Sequence, residues 1–332
     1  MRPLIVALVI LMLALAPSAV AGGPSGAPPQ LYLPARHFWQ TQNNCGPTAV
    51  AMAASVFGID VDPQVARWAL RPEPESVGMD ASRVDAYVRQ LGLAARPRVN
   101  GTSDLIRLLL AADVPVVVNQ WLSLSQRIEH YRVVVGYDTI GRGFFVHDST
   151  YGPYLWVSEA DFMALWTPTG RPYVPIYRPN QESAVAAIIG QDWDTATMYG
   201  RAFLRAADDV WAAPSDPWAW ARLGSFAFAY GDGATALTAW RAARSLGLPQ
   251  GELWLPGWLA AAALDEGDYA AALGYADQAL RRYPSWSGLH YVRGMALVGL
   301  GRSAEAAIAL RRALELEPSN SAARTMLESV SR

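Results

Sequence analysis

The spacing of apolar residues changes along the chain, and each change marks a boundary. Leu4 to Ala16 is a continuous apolar run ended by Pro17, with Arg2 before it and the small residues Ala19-Val20-Ala21 after it. That order predicts a secretory signal over residues 1–21, because the run is shorter than the about 20 residues a spanning helix needs. An uncleaved run would instead tether the N-terminus to a membrane. Gly22 to Gln30 (GGPSGAPPQ) has nothing to bury and reads as a linker. Helical spacing then predicts helices over Thr48 to Phe57, Val61 to Leu70, Met79 to Leu91 and Asp104 to Ala112, with Thr102 or Ser103 capping the last. Runs rich in β-branched residues predict strands at Val114 to Gln120, Tyr131 to Tyr137, Gly143 to Val146 and Tyr154 to Val157. Gly141-Arg142-Gly143 supplies the turn of a hairpin between the second and third. Helices first and strands afterwards imply an α+β domain over residues 31–179 with a mainly antiparallel sheet. The Pro-rich stretch 168–179 reads as its exit.

After Asn180 strand signals stop, and Ala, Leu and Trp dominate. Gly267, Ala272, Ala279 and Pro284 recur as Gly301, Ala306, Ala313 and Pro318, each 34 residues later. Leu280 and Leu314 keep that offset, as do Ala260 and Gly294. An earlier copy carries Trp220, Leu223, Gly224, Gly231, Ala236, Trp240 and Ala243, and a longer loop at Gly247 to Gly251 joins it to the next. These residues resemble the tetratricopeptide repeat, in which small residues let paired helices approach and Pro ends the second helix. The resemblance implies an all-α helical-repeat domain over residues 181–330, with about three units after a degenerate first one, whose second half is the segment Asp192 to Ala196. Such arrays bind extended peptides or protein partners on a concave face. Trp218, Trp220, Trp254 and Trp258 read mostly as repeat core.

Composition narrows the function. The chain has 332 residues, 52% hydrophobic and 17% charged, with a net charge of −2, which excludes disorder as its main state. Every basic side chain other than histidine is Arg, and these are scattered, so nothing points to nucleic acid as a partner. The single cysteine, Cys45, cannot form an intramolecular disulfide or a Cys-rich zinc site. No metal or cofactor is expected. A lone thiol in a chain bound for the secreted or cell-envelope space is either buried or used.

Its neighbours favour use. In Trp39-Gln40-Thr41-Gln42-Asn43-Asn44-Cys45-Gly46-Pro47-Thr48, the cysteine stands directly before a helix start. Unpaired N–H groups and the helix dipole there favour thiolate. Gln40 is placed to turn its amide towards an oxyanion, with Gln42 as a competing candidate. His130 immediately precedes one predicted strand, and Asp148 ends the next, 18 residues later. A hairpin brings the two to one end, where the ring reaches the carboxylate through one nitrogen and Cys45 through the other. His147 then points away from Asp148 to solvent, and His37 and His290 read as structural.

Gln40 ahead of N-C-G-P-T-A, H-Y-x-V-V-x-G-Y-D from His130, and F-x-V-x-D ending at Asp148 resemble the C39-like cysteine peptidases over residues 34–165. The resemblance implies a papain-like fold, with Cys45 as nucleophile, His130 as general base, Asp148 as orienting residue and Gln40 as oxyanion donor. Ser149 departs from the pattern, since the family often has Pro after this Asp. The chain is thus expected to be an exported thiol peptidase acting on peptide or protein substrates. The rival expectation is a catalytically inactive papain-like scaffold that only docks peptides.

Overall fold

The computed structural model describes residues 28–71, 78–248 and 255–331. The expected signal sequence and most of the linker lie outside the described residues. Strand β1 (Gln30–Tyr32) comes first, followed by helices α1 (Cys45–Ser55), α2 (Pro63–Leu70) and α3 (Val84–Arg89), the short strand β2 (Ala94–Ala95) and helix α4 (Ser103–Ala111). Strands β3 (Val116–Trp121), β4 (Glu129–Asp138), β5 (Gly143–Asp148) and β6 (Gly152–Ser158) then follow one another. Helix α5 (Glu159–Trp166) leads to β7 (Tyr173–Tyr177). The sheet is antiparallel in the order β2-β7-β3-β4-β5-β6, with β1 along the far end of β4.

Both faces of this sheet are covered, which explains why its inner strands read as valine runs. Val117, Val133, Val135, Val174 and Ile176 pack with α1, α2 and α3. Their neighbours Val116, Val118, Val134 and Tyr173 pack with α4 and α5 on the other side. Helix α1 carries no charged residue and is buried all round, its small side chains allowing close approach to the sheet. Thr102 caps α4 through a bond from the Leu105 N–H.

Three expectations change. His130 lies inside β4, which is an interior strand, and does not precede it. The Pro-rich stretch read as an exit contains β7, between β3 and β2. Pro175 is tolerated because its carbonyl accepts from the Arg96 N–H, and its missing donor falls on the side of two-residue β2. The linker's last residues are ordered too: Pro29 accepts from the Thr139 N–H at 2.8 Å, and Gln30 pairs with Asp138. Only glycine fits at Gly136, since a Cβ there would run into the Leu31 carbonyl oxygen.

The remaining helices are α6 (Glu182–Ile189), α7 (Thr195–Ala212), α8 (Pro217–Tyr230), α9 (Gly233–Ser245), α10 (Leu255–Asp265), α11 (Tyr269–Leu280), α12 (Ser287–Gly299), α13 (Ser303–Leu316) and α14 (Ser321–Val330). From α7 onward each packs on the next. The recurring glycines Gly231, Gly267 and Gly301 occupy left-handed turns with φ of 97°, 74° and 73°. Asp232 and Asp268 follow two of them and cap the next helix. A side chain at Gly224 would strike Trp240, and one at Gly294 would strike Leu310, so these small positions set the helix spacing.

The segment Asp192 to Ala196 leads from the 3-10 turn after α6 into the start of α7. Val185 and Ile189 of α6 join Phe162 and Trp166 in the core of the sheet domain. Packing therefore continues across the boundary expected near residue 180. Trp240 is fully buried and stacks on Trp258, but Trp218 lies edge-on to Trp121 of the sheet domain, with ring centroids 4.9 Å apart. Trp254 lies outside the described residues. No helix among the described residues is long and apolar enough to cross a membrane.

Candidate active site

Cys45 is the first residue of α1, not the residue before it. Asn44 precedes the helix without capping it. Its amide nitrogen donates instead to the Pro63 carbonyl at 3.1 Å. First-turn amides thus stay free for another acceptor, and the backbone N–H groups of Gly46 and Tyr131 face the sulfur. Gly46 is held tightly, since a Cβ there would come within 2.5 Å of the Met79 Cβ. Burial pushes the thiol pKa up, but the bond to His130, its charge and the two amides outweigh burial, leaving Cys45 below the ordinary thiol value.

The His130 ring meets the Asp148 Oδ1 through Nε2 at 3.0 Å. The ring also stands near enough to the Cys45 thiol for each to bear on the other's ionisation, and Nδ1 is the nitrogen that Asp148 leaves unused. Burial lowers the ring's pKa, yet Asp148 and Cys45 together raise it above the ordinary imidazole value. Asp148 is fully buried and fully used. Its Oδ1 also accepts from the Thr150 and Tyr151 N–H groups at 2.7 and 3.0 Å, and Oδ2 accepts from Arg132 Nε at 2.7 Å. Burial opposes the negative charge, but His130, Arg132 and the Thr150 amide hold this carboxyl well below the usual carboxylate range.

Arg132 is a residue the sequence reading missed. It stands two positions after His130, hence on the same face of β4. Its guanidinium is buried and anchored to the Trp121 and Leu122 carbonyls at 3.0 and 2.8 Å and to Gln120 Oε1 at 3.3 Å. The i, i+2 spacing was the signal that could have found it.

Gln40 and Ser149 are joined twice. The Gln40 N–H donates to the Ser149 carbonyl at 3.1 Å, and the Ser149 hydroxyl donates to Gln40 Oε1 at 2.8 Å. The amide oxygen is thereby fixed, with the NH2 end left to donate. Gln42 is exposed, while Gln40 is half-buried. The departure from the family pattern at Ser149 thus supplies a hydroxyl that proline would lack.

His147 differs from expectation: it is fully buried, not solvent-facing. It does point away from Asp148, but that side of the sheet is covered as well. There it meets Tyr154 edge-on, and burial beside His37 lowers its pKa to about 4. His37 also has a partner near the site, with Nε2 2.9 Å from the Asp148 carbonyl. His290 bonds the Pro284 carbonyl, a structural role. Among the described residues, no group of three His, Cys, Asp or Glu side chains is placed to hold a metal ion.

The model of the Peptidase_C39 like family matches residues 32–174. No curated protein matches the chain. Among solved structures, the MamA fragment 41-end from Desulfovibrio magneticus RS-1 is 17% identical, covering 46% of this chain and 81% of its own, with a TM-score of 0.38. The Arabidopsis OM64 TPR domain is 24% identical, covering 34% of this chain and 93% of its own, at 0.32. The second TPR domain of human RPAP3, solved with the HSP70 peptide SGPTIEEVD, is 27% identical over 35% of this chain and 98% of its own, also at 0.32. Residues 32–174 are thus similar to the Peptidase_C39 like family, and a run of packed helices follows them.

Proposed function

We propose that this protein is an exported cysteine peptidase that hydrolyses peptide bonds, with its helical array holding a peptide or protein partner. One observation carries the reading: His130 bonds Asp148 through Nε2 at 3.0 Å, and the ring stands beside the Cys45 thiol with its other nitrogen unused. The Cys45 thiolate attacks the peptide carbonyl carbon, and the negative charge that develops on oxygen is met by the Gln40 amide NH2 and the Cys45 N–H. The His130 imidazolium gives its proton to the leaving amine. Water, deprotonated by neutral His130, then attacks the thioester and frees the thiol. Asp148 keeps the ring in the orientation and charge state both steps need. Export rests on the Arg2-to-Ala21 pattern alone.

The opposed shifts of Cys45 and His130 make the test specific. The thiol is lowered and the ring raised, and both shifts favour a thiolate–imidazolium pair. Iodoacetamide should therefore alkylate the full chain well below the ordinary thiol pKa of about 8.5, and His130→Ala should move the rise back towards that value. Cys45→Ala and His130→Ala should each abolish peptide turnover. Turnover that survives both variants would overturn the peptidase reading. Alkylation at the free-cysteine rate with no turnover would leave a catalytically inactive papain-like scaffold that binds peptides.

A further inference from the structure

His37, read from the sequence as structural, stands where the loop before α1 meets the loop after β5. Its Nε2 lies 2.9 Å from the main-chain carbonyl oxygen of Asp148. A carbonyl only accepts, so Nε2 carries the hydrogen and donates it. Further along the same loop, the Gln40 N–H donates to the Ser149 carbonyl at 3.1 Å, and the Ser149 hydroxyl donates to Gln40 Oε1 at 2.8 Å. Among the described residues, the hydrogen bonds of residues 37–40 all go to Asp148 and Ser149.

The two sides of this contact are held unequally. Asp148 ends β5 and is fully buried, and its carboxylate accepts from His130, Arg132 and the Thr150 and Tyr151 N–H groups. The loop before α1 is tied upstream, where the Arg36 N–H donates to Ser55 Oγ at 2.8 Å. Downstream, the Gln64 amide donates to Thr41 Oγ1 at 2.7 Å. Between those ties Phe38 packs partly on the α1 core, and Trp39 is 64% exposed. When a bond between a firmly held group and a loosely held one is lost, the loosely held one opens. Here that is the segment carrying Gln40.

The ring has neighbours that keep it in place. His37 lies edge-on to Trp39 with ring centroids 4.7 Å apart, and the fully buried ring of His147 stands 5.8 Å away. Packing of this kind holds the ring's donor on the Asp148 carbonyl. We propose that His37 is a positioning residue: its ring moors the Gln40 segment to the end of β5 and so sets where the Gln40 NH2 stands relative to Cys45. The oxyanion role of that NH2 rests on the peptidase reading; the mooring does not.

His37→Phe keeps a ring and removes the donor, while His37→Gln restores an amide N–H near the same place. The Gln40 N–H, read by hydrogen-exchange mass spectrometry of the full chain, should exchange about 10-fold faster in His37→Phe and return towards wild type in His37→Gln. Peptide kinetics test the consequence. His37→Phe should lower kcat about 10-fold with KM little changed, since a misplaced donor loses part of what a missing one would cost. Cys45 alkylation by iodoacetamide should keep its wild-type rate, because displacement of iodide builds no oxyanion. In a Gln40→Ala background the His37→Phe penalty should fall to about 2-fold or less, as expected of a residue that acts through Gln40. A merely structural role would leave the penalty intact there. Unchanged exchange, a full penalty in Gln40→Ala, or a parallel loss of alkylation would each overturn the proposal. Melting curves confirm folded protein, and His37→Met takes the place of His37→Phe if the phenylalanine ring unfolds the chain. A chain whose exchange quickens but which turns over no peptide keeps the mooring and loses the peptidase reading. A chain that turns over peptide with its exchange unchanged does the reverse.

Discussion

The Ser149 hydroxyl and the Gln40 amide oxygen lie 2.8 Å apart, and this bond decides which end of the amide is free to donate. An amide that rotates spends part of its time presenting oxygen to an oxyanion, which repels it. Losing an oxyanion donor outright typically costs about 100- to 1,000-fold in kcat. Ser149→Ala, which only loosens the donor, should cost about 10-fold, with KM little changed. Iodoacetamide alkylation of Cys45 should stay at the wild-type rate, because no bond to His130 or Asp148 is touched. Ser149→Thr keeps a hydroxyl and should restore most of the rate. A parallel loss of alkylation in Ser149→Ala would show instead that the whole loop after Asp148 had moved. The bond between His130 and Asp148 was legible because a hairpin brings residues 18 apart to one end of two paired strands. Arg132 and Ser149 were not, because neither residue type announces itself until a fold puts a carboxylate or an amide opposite it. His147 was misplaced for a related reason: alternation gives the face of a strand, but not whether a helix covers that face.

Strands β4 and β5 carry the next level of organisation, since they set Arg132 across from Asp148 deep in the sheet. Both partners are buried, with side chains 6% and 0% exposed. Removing one charge from such a pair leaves the other uncompensated, at a cost of about 3–5 kcal/mol. Arg132→Met should lose stability of that order in urea unfolding at neutral pH. The pH dependence has a definite sign. A carboxyl held below its unfolded-state pKa stabilises the fold above that ordinary value, near 3.9. The contribution fades as pH falls towards the depressed folded value. Wild-type stability should therefore drop on acidification below about pH 5, and the drop should be smaller in Arg132→Met, where a main support of the depressed pKa is gone. Equal acid slopes in the two proteins would sink this account. The valine-rich strands were readable from sequence because burial on both faces leaves no polar alternation. Strand β7 was hidden by its prolines, since nothing local shows that Pro175 sits beside a strand only two residues long.

Across the whole molecule the open question is whether the two halves are separable modules. Sequence alone places the break near residue 180, where strand signals give way to the helical period. Two kinds of contact cross that line. One is polar: Arg83 pairs with Glu317 at 3.1 Å, and Glu317 is also held by Ser287. A partly exposed ion pair of this sort contributes roughly 0–1 kcal/mol, too little to fuse the domains. The other is apolar, where α6 sends Val185 and Ile189, 0% and 5% exposed, into the cluster around Phe162 and Trp166. Truncating a buried Ile to Ala costs about 2–5 kcal/mol, because a cavity remains where the side chain was. Ile189→Ala should therefore shift the urea midpoint of the sheet domain, read through protection of the Cys45 thiol from a bulky alkylating reagent. Leu310→Ala, in the far part of the array, lies in a separate cluster and should leave that midpoint in place. If Ile189→Ala also leaves it in place, α6 is a passive linker and the sheet domain stands alone. If only Ile189→Ala moves it, the first helix of the array-like half is part of the sheet domain's core, and a partner pulling on the repeats would act directly on the scaffold that holds His130 and Asp148.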